Sequence, residues 1–313
     1  MSDGGRRDRA GAGDPEPEAP LPAGRRPHLD PDAWSSRLVR GALLPDDATG
    51  RRQPDHRFRT VAARAPEEGG ADVDATALRL LATAPLRGVG RIVYASNAVF
   101  LLELEAPDPT DPELPLRGVY KPARGERPLW DFPHGTLHLR EVASYRVDAA
   151  LGFGLIPPTV LRDGPAGPGS VQLFVDVAER RPTPEERATL ERQLPLLATL
   201  DALINNADRK GAHLLVGRDL RLWGIDNGLS FLPYPRQRTV LLQLGGSPLP
   251  EEAAVAVREL HADARRRTRL RRQLLRLLDA EEVEAFLCRL AELAATPVHP
   301  ILDPWDGRPF EWG

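Results

Sequence analysis

The sequence predicts an α+β fold with two lobes, a strand-rich lobe followed by a helical lobe that carries a small hairpin. Three observations lead to this prediction. Residues 90–121 contain three short β-prone runs separated by turn-forming residues. Apolar residues at helical spacing over 137–151 then predict one helix. Between residues 251 and 295 the apolar positions again recur at helical spacing, which predicts helix throughout.

Composition restricts the class of protein. The chain has 313 residues, enough for a sizeable core, and its net charge of -3 gives no reason to expect nucleic-acid binding. The single cysteine, Cys288, excludes an internal disulfide framework and fits a reducing compartment. No apolar run approaches the roughly 20 residues that span a bilayer, and the first residues lack the apolar stretch of a secretion signal. We therefore expect a cytoplasmic protein.

Four segments are expected along the chain. Residues 1–73 are roughly one quarter Pro and Gly, with few aromatic residues, and are predicted to be mostly disordered, although residues 34–44 could form a short helix. The strand-rich lobe is predicted over 74–178 and the helical lobe over 179–295. The Pro- and Trp-rich tail, 296–313, is expected to wrap the surface.

The strand-rich lobe should begin with a helix that Asp74 caps and that ends before Pro85. Residues 95–98 are predicted to form the turn of a hairpin. A third strand is predicted after it, followed by a second pair of strands joined by a Gly/Pro-rich turn. Gly152 is the expected C-terminal stop of the single helix. The predicted strands are 90–94, 99–104, 117–121, 159–161 and 171–175.

The helical lobe should begin at a capping box in which Thr183 caps, Pro184 takes the first helical position and Glu186 reaches back. Pro195 is predicted to kink or split this helix. Its buried stripe should comprise Leu190, Leu194 and Leu197. Further along, the strands of a hairpin are predicted over 213–216 and 220–225.

Rare residue types cluster at particular positions. Of 42 Lys and Arg residues only two are lysines, Lys121 and Lys210, so a lysine that remains is expected where a compact point charge is needed. Of four asparagines, three lie within 205–227. Chance clustering or turn formation is the alternative explanation.

The residues in 205–228 suit phosphoryl transfer, which needs a group that orients the nucleophile, ligands for Mg²⁺ and positive charge on the phosphates. Asp208 is the candidate catalytic base, and Lys210 could reach the transferred phosphate. Asp226, at the end of an apolar run, could present a carboxylate to Mg²⁺. Either aspartate taken alone would be an ordinary turn residue.

Other candidate ATP-binding residues lie upstream. Lys121 is expected to reach the ATP phosphates, and Glu141 to hold that lysine, although a glutamate early in a helix also compensates the dipole. Backbone N–H groups of the turn at Ser96 and Asn97 could cover the phosphates, or the turn could be purely structural. Two more candidates, Phe174 and Val175, could line an adenine pocket or simply belong to the core.

Four stretches carry a resemblance to a known family: Val119-Tyr120-Lys121, Arg140-Glu141-Val142-Ala143, Asn206-Ala207-Asp208-Arg209-Lys210-Gly211 and Ile225-Asp226-Asn227-Gly228. Over about residues 74–250 the chain resembles the phosphatidylinositol 3- and 4-kinases, in particular the type II 4-kinases and their short actinobacterial relatives. The resemblance implies a protein-kinase-like fold and transfer of the γ-phosphate of ATP to a hydroxyl, with Mg²⁺ or Mn²⁺. It also implies a catalytic Asp208, a metal-binding Asp226 and a phosphate-binding Lys121.

The chain departs from the family at His213, where the family usually has a metal-binding Asn five residues after the catalytic Asp. Histidine suits Mn²⁺ or Zn²⁺ better than Mg²⁺, and the imidazole could bind a metal or be an ordinary hydrogen-bonded side chain. The acceptor could be a lipid, a protein or a small metabolite. A nucleotide-binding pseudokinase is the main alternative, and nucleotidyl transfer is a third.

A run of arginines over 265–276 invites a membrane-surface interpretation, which would suit a lipid kinase. Arginine is, however, the default cation of this chain. A solvated helix face explains the run equally simply.

Overall fold

The computed structural model describes residues 70–92, 97–109, 115–178, 180–218 and 220–309. The predictions for residues 1–69, including the short helix over 34–44, therefore lie outside the described residues, as does Ser96. Helix α1 covers Gly70–Thr83. Asp74 lies inside it, so the predicted cap is wrong: no helix-breaking residue separates Gly70 from Asp74, and the helix extends a further turn.

Five antiparallel strands form the main sheet, in the order β1-β2-β3-β5-β4. Their bounds are β1 Leu86–Ile92, β2 Val99–Pro107, β3 Pro115–Pro122, β4 Thr159–Gly164 and β5 Gly167–Leu173. Each overlaps a predicted strand, and β1 and β2 pair antiparallel like the two strands of the predicted hairpin. Of its turn at 95–98, only residues 97 and 98 are described. Burial alternates along β3, so Leu116, Gly118 and Tyr120 face the core while Lys121 points to the other face.

The core of the sheet lies between its buried face and α1. It is built from large apolar side chains of both: Leu81, Leu102, Leu104, Leu116, Tyr120, Val160 and Val171. Gly118 in β3 is closely covered by this core, since a Cβ there would lie 2.6 Å from Val171 Cγ1 of β5 and 3.3 Å from Leu81 Cδ2 of α1. The close approach therefore depends on glycine.

Helix α2, Leu137–Leu151, has the predicted bounds. Gly152 ends it in the left-handed conformation with φ 78°, and its N–H donates to the carbonyl of Asp148. Although the sequence places this helix in the strand-rich lobe, Ala143, Val147 and Leu151 belong to the core of the helical part. The helix thus packs on both parts of the molecule.

Arg140 ties α2 to the helical part. Its guanidinium donates to the carbonyl of Ser230 (2.6 Å) and to Glu282 Oε1 (2.5 Å). The side chains of Arg140 and Glu282 are 1% and 6% exposed. Such a buried pair is strongly destabilising when one partner is removed.

Helix α3, Pro184–Ile204, begins at the predicted capping box of Thr183 and Glu186. Pro195 lies inside it without splitting it. The carbonyl that loses its hydrogen bond belongs to Glu191, an exposed residue that water can reach. Of the predicted stripe, Leu190 and Leu197 are buried and Leu194 is half-buried.

The predicted small hairpin is present, but its strands are shorter than expected: β6 covers Leu214–Val216 and β7 covers Leu222–Gly224. His213 instead ends a 3₁₀ turn, Gly211–His213. Leu220 has a left-handed φ of 61°, which interrupts the second predicted strand. These differences place His213 and residue 226 near each other at the open end of the hairpin, where Leu214 pairs with Gly224.

The prediction of continuous helix over 251–295 is wrong in one respect. Three helices cover it, α4 Glu251–Ala262, α5 Ala264–Leu274 and α6 Ala280–Ala295. Asp263 starts the second, since its carboxylate accepts the backbone N–H groups of Arg265 and Arg266. Asp279 starts the third, where its backbone N–H donates to Glu282 Oε2 at 3.1 Å. On the arginine-rich α5, Arg271 pairs with Glu284 and Arg266 with Glu259, as in an ordinary solvated face.

The tail packs partly into the protein. His299 is buried, with Nε2 3.2 Å from Thr199 Oγ1 of α3, whereas Trp305 is exposed. Within the described ranges, no helix has both the length and the apolar character needed to cross a bilayer.

We predict that Arg140→Ala lowers the free energy of unfolding by about 3–5 kcal/mol, because it leaves the Glu282 carboxylate buried without its partner. Urea denaturation would measure the loss. The control is Arg271→Ala, which removes an exposed pair with Glu284 and should cost less than about 1 kcal/mol. Equal losses in the two variants would contradict the prediction.

Candidate active site

Lys121 is the centre of a group of charged residues that come from three elements. Strand β3 carries the lysine, α2 carries Glu141, and Asp226 follows β7. The ammonium group donates to Glu141 Oε1 and to Asp226 Oδ1, the latter at 2.9 Å. Three residues that the sequence analysis selected separately therefore meet at one point.

Glu141 also holds the turn that contains Asp226. Its second oxygen, Oε2, accepts the backbone N–H of Asn227 at 3.0 Å. Gly228 permits this approach, because a Cβ there would lie 3.3 Å from the carbonyl oxygen of Leu137 and 3.5 Å from Glu141 Oε1. Asp226 has a left-handed φ of 58°. The turn is thus fixed from α2 and directs the Asp226 carboxylate toward Lys121.

Both members of the Lys121–Asp226 pair are charged at neutral pH. Burial alone would lower the pKa of Lys121, but the carboxylates of Asp226 and Glu141 outweigh it and hold that pKa above its ordinary value. The ammonium of Lys121 in turn holds the pKa of Asp226 well below its usual range. The Asp226 side chain remains 54% exposed, so its carboxylate can be reached by a ligand.

Asp208 lies on the loop after α3 and pairs with Lys210. The distance from Lys210 Nζ to Asp208 Oδ2 is 2.9 Å. Asn206 Oδ1 accepts the backbone N–H of Asp208 at 3.0 Å, which orients the loop. Burial raises the pKa of Asp208 although Lys210 opposes the shift. A carboxylate with a raised pKa is better able to accept a proton from a hydroxyl group.

His213 lies between the Asp208 loop and Asp226. Its Nδ1 accepts the backbone N–H of Lys210 at 3.4 Å, and its Nε2 lies 3.3 Å from Asp226 Oδ2. Burial lowers the pKa of His213 to about 4, so the ring is neutral at pH 7. The acceptor role of Nδ1 assigns the remaining proton to Nε2, the nitrogen that lies near Asp226 Oδ2.

A divalent metal ion fits the Asp226 carboxylate, a partly exposed hard oxygen donor. His213 would bind a metal through Nε2 only if its proton moved to Nδ1, at the cost of the hydrogen bond from Lys210. Among the described residues there is no group of three or more His, Cys, Asp or Glu side chains that could hold a metal by themselves. This donor set matches Mg²⁺ sites built from one or two carboxylates together with substrate phosphates.

Arg209 is also part of this site, although it was not among the candidate site residues predicted from the sequence. Its side chain is fully buried and donates to both carboxylate oxygens of Asp201, at 2.8 and 2.9 Å. It also donates to the carbonyl of Ile225 (2.7 Å) and to Asn227 Oδ1 (2.5 Å). Composition did not single out Arg209, because arginine is common in this chain. A sequence feature that could have indicated its ion pair is Asp201, a charged residue within the apolar end of α3.

The other candidates lie around the sheet. Asn97 Oδ1 accepts the backbone N–H of Arg127 at 3.0 Å, which joins the end of the β1–β2 turn to the segment after β3. Phe174 and Val175 follow β5 directly. The guanidinium of Arg117 lies 4.5 Å from the centre of the Phe174 ring, in a cation–π contact.

Comparison with solved structures supports the fold assignment. The structure of hydra Fam20 with sugar superposes with a TM-score of 0.50 and 14% identity, covering 76% of this chain and 91% of that chain. A weaker likeness, on which nothing is built, is to the Golgi casein kinase with Mn/ADP bound, with a TM-score of 0.49 and 18% identity over 72% of this chain and 75% of that chain. The chain has the predicted α+β, two-lobed, protein-kinase-like fold.

A relative is found at much higher sequence identity. Protein Rv2133c of Mycobacterium tuberculosis is 38% identical over 271 residues, which cover 74% of this chain and 93% of the relative. No model of a known protein family matches the sequence. The identity and the coverage of the relative show that the chain belongs to the same protein family as Rv2133c.

Proposed function

We propose that the protein is an atypical kinase, a phosphotransferase that moves the γ-phosphate of ATP to a hydroxyl acceptor. The observation that supports this most directly is the pairing of Lys121 with Glu141 and Asp226 across three elements. A half-buried lysine fixed by a helix-borne glutamate, beside an aspartate that could bind a metal ion, is the arrangement that kinases use to bind phosphates.

Each residue has a role in this proposal. Lys121 turns its ammonium from the Asp226 carboxylate to the phosphates of ATP, while Glu141 keeps it in place. Asp208 orients the acceptor hydroxyl and accepts its proton, for which its raised pKa is suited. Lys210, 2.9 Å from Asp208, neutralises charge on the transferred group. Asp226 would hold Mg²⁺ or Mn²⁺, which supplies positive charge to the phosphate oxygens.

Several finer assignments extend this proposal. The turn at Ser96 and Asn97 would cover the phosphates, and Phe174 and Val175 would border the adenine. His213 would join Asp226 at the metal, which would favour Mn²⁺ over Mg²⁺. The motif resemblance to phosphatidylinositol 3- and 4-kinases favours a lipid acceptor, although proteins and small metabolites also carry hydroxyl groups. The single cysteine favours action in the cytoplasm.

A nucleotide-binding pseudokinase is the second candidate function. It is favoured by the contact of His213 Nε2 with Asp226 Oδ2, at 3.3 Å. This contact occupies the oxygen that a second metal ion would need. In that case the protein would bind ATP and regulate a partner without transferring phosphate.

The first prediction concerns transfer itself. Incubation with γ-labelled ATP, Mg²⁺ or Mn²⁺ and a panel of lipids and proteins should label an acceptor, and α-labelled ATP should not. Asp208→Asn should lower the rate by about 10²–10⁴-fold, because it removes the proton acceptor without changing the shape of the side chain. Asp163→Asn, an exposed change on β4, serves as the control.

Transfer of the α-label would instead indicate nucleotidyl transfer. Absence of turnover with either label, in the wild type as in Asp208→Asn, would contradict the enzyme hypothesis and leave the pseudokinase.

The second prediction concerns nucleotide binding. ATP with Mn²⁺ at about 100 times its Kd should raise the melting temperature by roughly 5–10 °C. Lys121→Met should remove most of this shift, because the phosphates lose their buried positive charge. The quantity compared between variants is the shift that ATP causes, not the melting temperature itself. The substitution also leaves Glu141 and Asp226 without their cation, which changes the melting temperature of the free protein. Arg91→Met, an exposed change on β1, should keep the full shift; a full shift in Lys121→Met would refute the role of the lysine.

A further inference from the structure

We propose that Arg209 is a positioning residue that sets the separation between Asp208 and Asp226. The inference rests on the proposed phosphotransferase function for its catalytic consequence, but its structural basis is independent. Four residues form the group in question, here called the Arg209 network: Asp201, Asn206, Arg209 and Asn227.

Arg209 connects the two loops at the residues next to the two aspartates. In the chain it directly follows Asp208. Its side chain donates to the carbonyl of Ile225 at 2.7 Å and to Asn227 Oδ1 at 2.5 Å, the two residues that flank Asp226. One planar, rigid group therefore spans from the neighbour of one aspartate to both neighbours of the other.

Asp201 anchors the network to the scaffold. It lies in the last turn of α3, is fully buried, and accepts two hydrogen bonds from Arg209. Its Oδ1 also accepts from Asn206 Nδ2 at 3.0 Å, and Asn206 in turn holds the backbone N–H of Asp208. The position of Asp208 is thus tied to α3 both through its own loop and through Arg209.

The backbone of Arg209 is fixed as well. Its N–H donates to the carbonyl of Arg238, and its carbonyl accepts the N–H of Val240, both at 3.0 Å. Gly224 lies beside the guanidinium and packs closely on α3, since a Cβ there would lie 2.8 Å from Leu197 Cδ1 and in ordinary contact, 3.5 Å, with Arg209 Nη2. Both ends of this side chain are therefore held, as a spacer between two loops requires.

A buried ion pair also contributes to stability, so the experiment must separate positioning from folding. The double variant Arg209→Gln/Asp201→Asn removes both charges together, which avoids an uncompensated buried charge. The asparagine retains an oxygen for Asn206, whereas the glutamine is too short to reach Ile225 and Asn227. The matched control is Arg140→Gln/Glu282→Gln, which neutralises the other fully buried pair.

Two measurements are made on both double variants of the full chain. We expect Arg209→Gln/Asp201→Asn to lower kcat about 100-fold while the KM for ATP changes less than about threefold, because a small misplacement affects chemistry more than binding. In hydrogen exchange, residues 206–213 and 225–228 should exchange at least about tenfold faster, with β2 and β3 unchanged. The control should keep kcat within about threefold.

Unchanged exchange in both loops, or an equal loss of kcat in the control, would overturn the proposal. If the wild type transfers no phosphate, the proposed function fails, whereas faster exchange confined to the two loops would still support the positioning role. Arg209→Lys should not restore kcat, since a lysine lacks the planar fork that reaches three partners at once.

Discussion

The site depends on the compensation of one ammonium group. Lys121 is half-buried, with 21% of its side chain exposed, so part of its hydration is lost, and the carboxylates of Glu141 and Asp226 compensate this cost. Because these three residues come from β3, from α2 and from the turn after β7, the pairing requires the sheet, the helix and the hairpin to be in place together. The fold of the two parts and the geometry of the site are therefore not separable.

Helix α2 transmits this constraint to the rest of the molecule. Glu141 faces Lys121 and the Asn227 backbone, while the preceding residue, Arg140, reaches Ser230 and Glu282 on the opposite side. Consecutive helical residues point in directions about 100° apart, so one turn can serve both the site and the helical core. The polar residues of α2 are buried because both sides of the helix are covered.

Much of the fold could be predicted from local patterns, because local interactions determine it. Apolar spacing and Gly152 define α2, and the Thr183 box defines the start of α3. The differences from prediction depend on context. Of the two outcomes predicted at Pro195, a kink or a split, the split does not occur, because water can reach the carbonyl that the proline leaves unbonded. The breaks at Asp263 and Asp279 were missed because helical spacing continues across them.

The candidate site could be predicted only in part. Residue type and order along the chain were enough to select Lys121, Glu141, Asp208 and Asp226. Arg209 could not be selected in this way, because its hydrogen-bond partners lie 8 to 18 residues away and only the folded chain shows them.

Residues with a left-handed backbone conformation mark positions where the fold loses stability. Of the four non-glycine residues with positive φ in the described part of the chain, Asn205, Asp226 and Phe231 lie in or beside the two loops that carry the aspartates. Such backbone conformations cost of order 1–3 kcal/mol each in non-glycine residues. Glycine would adopt φ 58° at position 226 without this cost, but it offers no carboxylate. The strained position is therefore held by a side chain whose carboxylate pairs with Lys121 at 2.9 Å, a contact that glycine could not make.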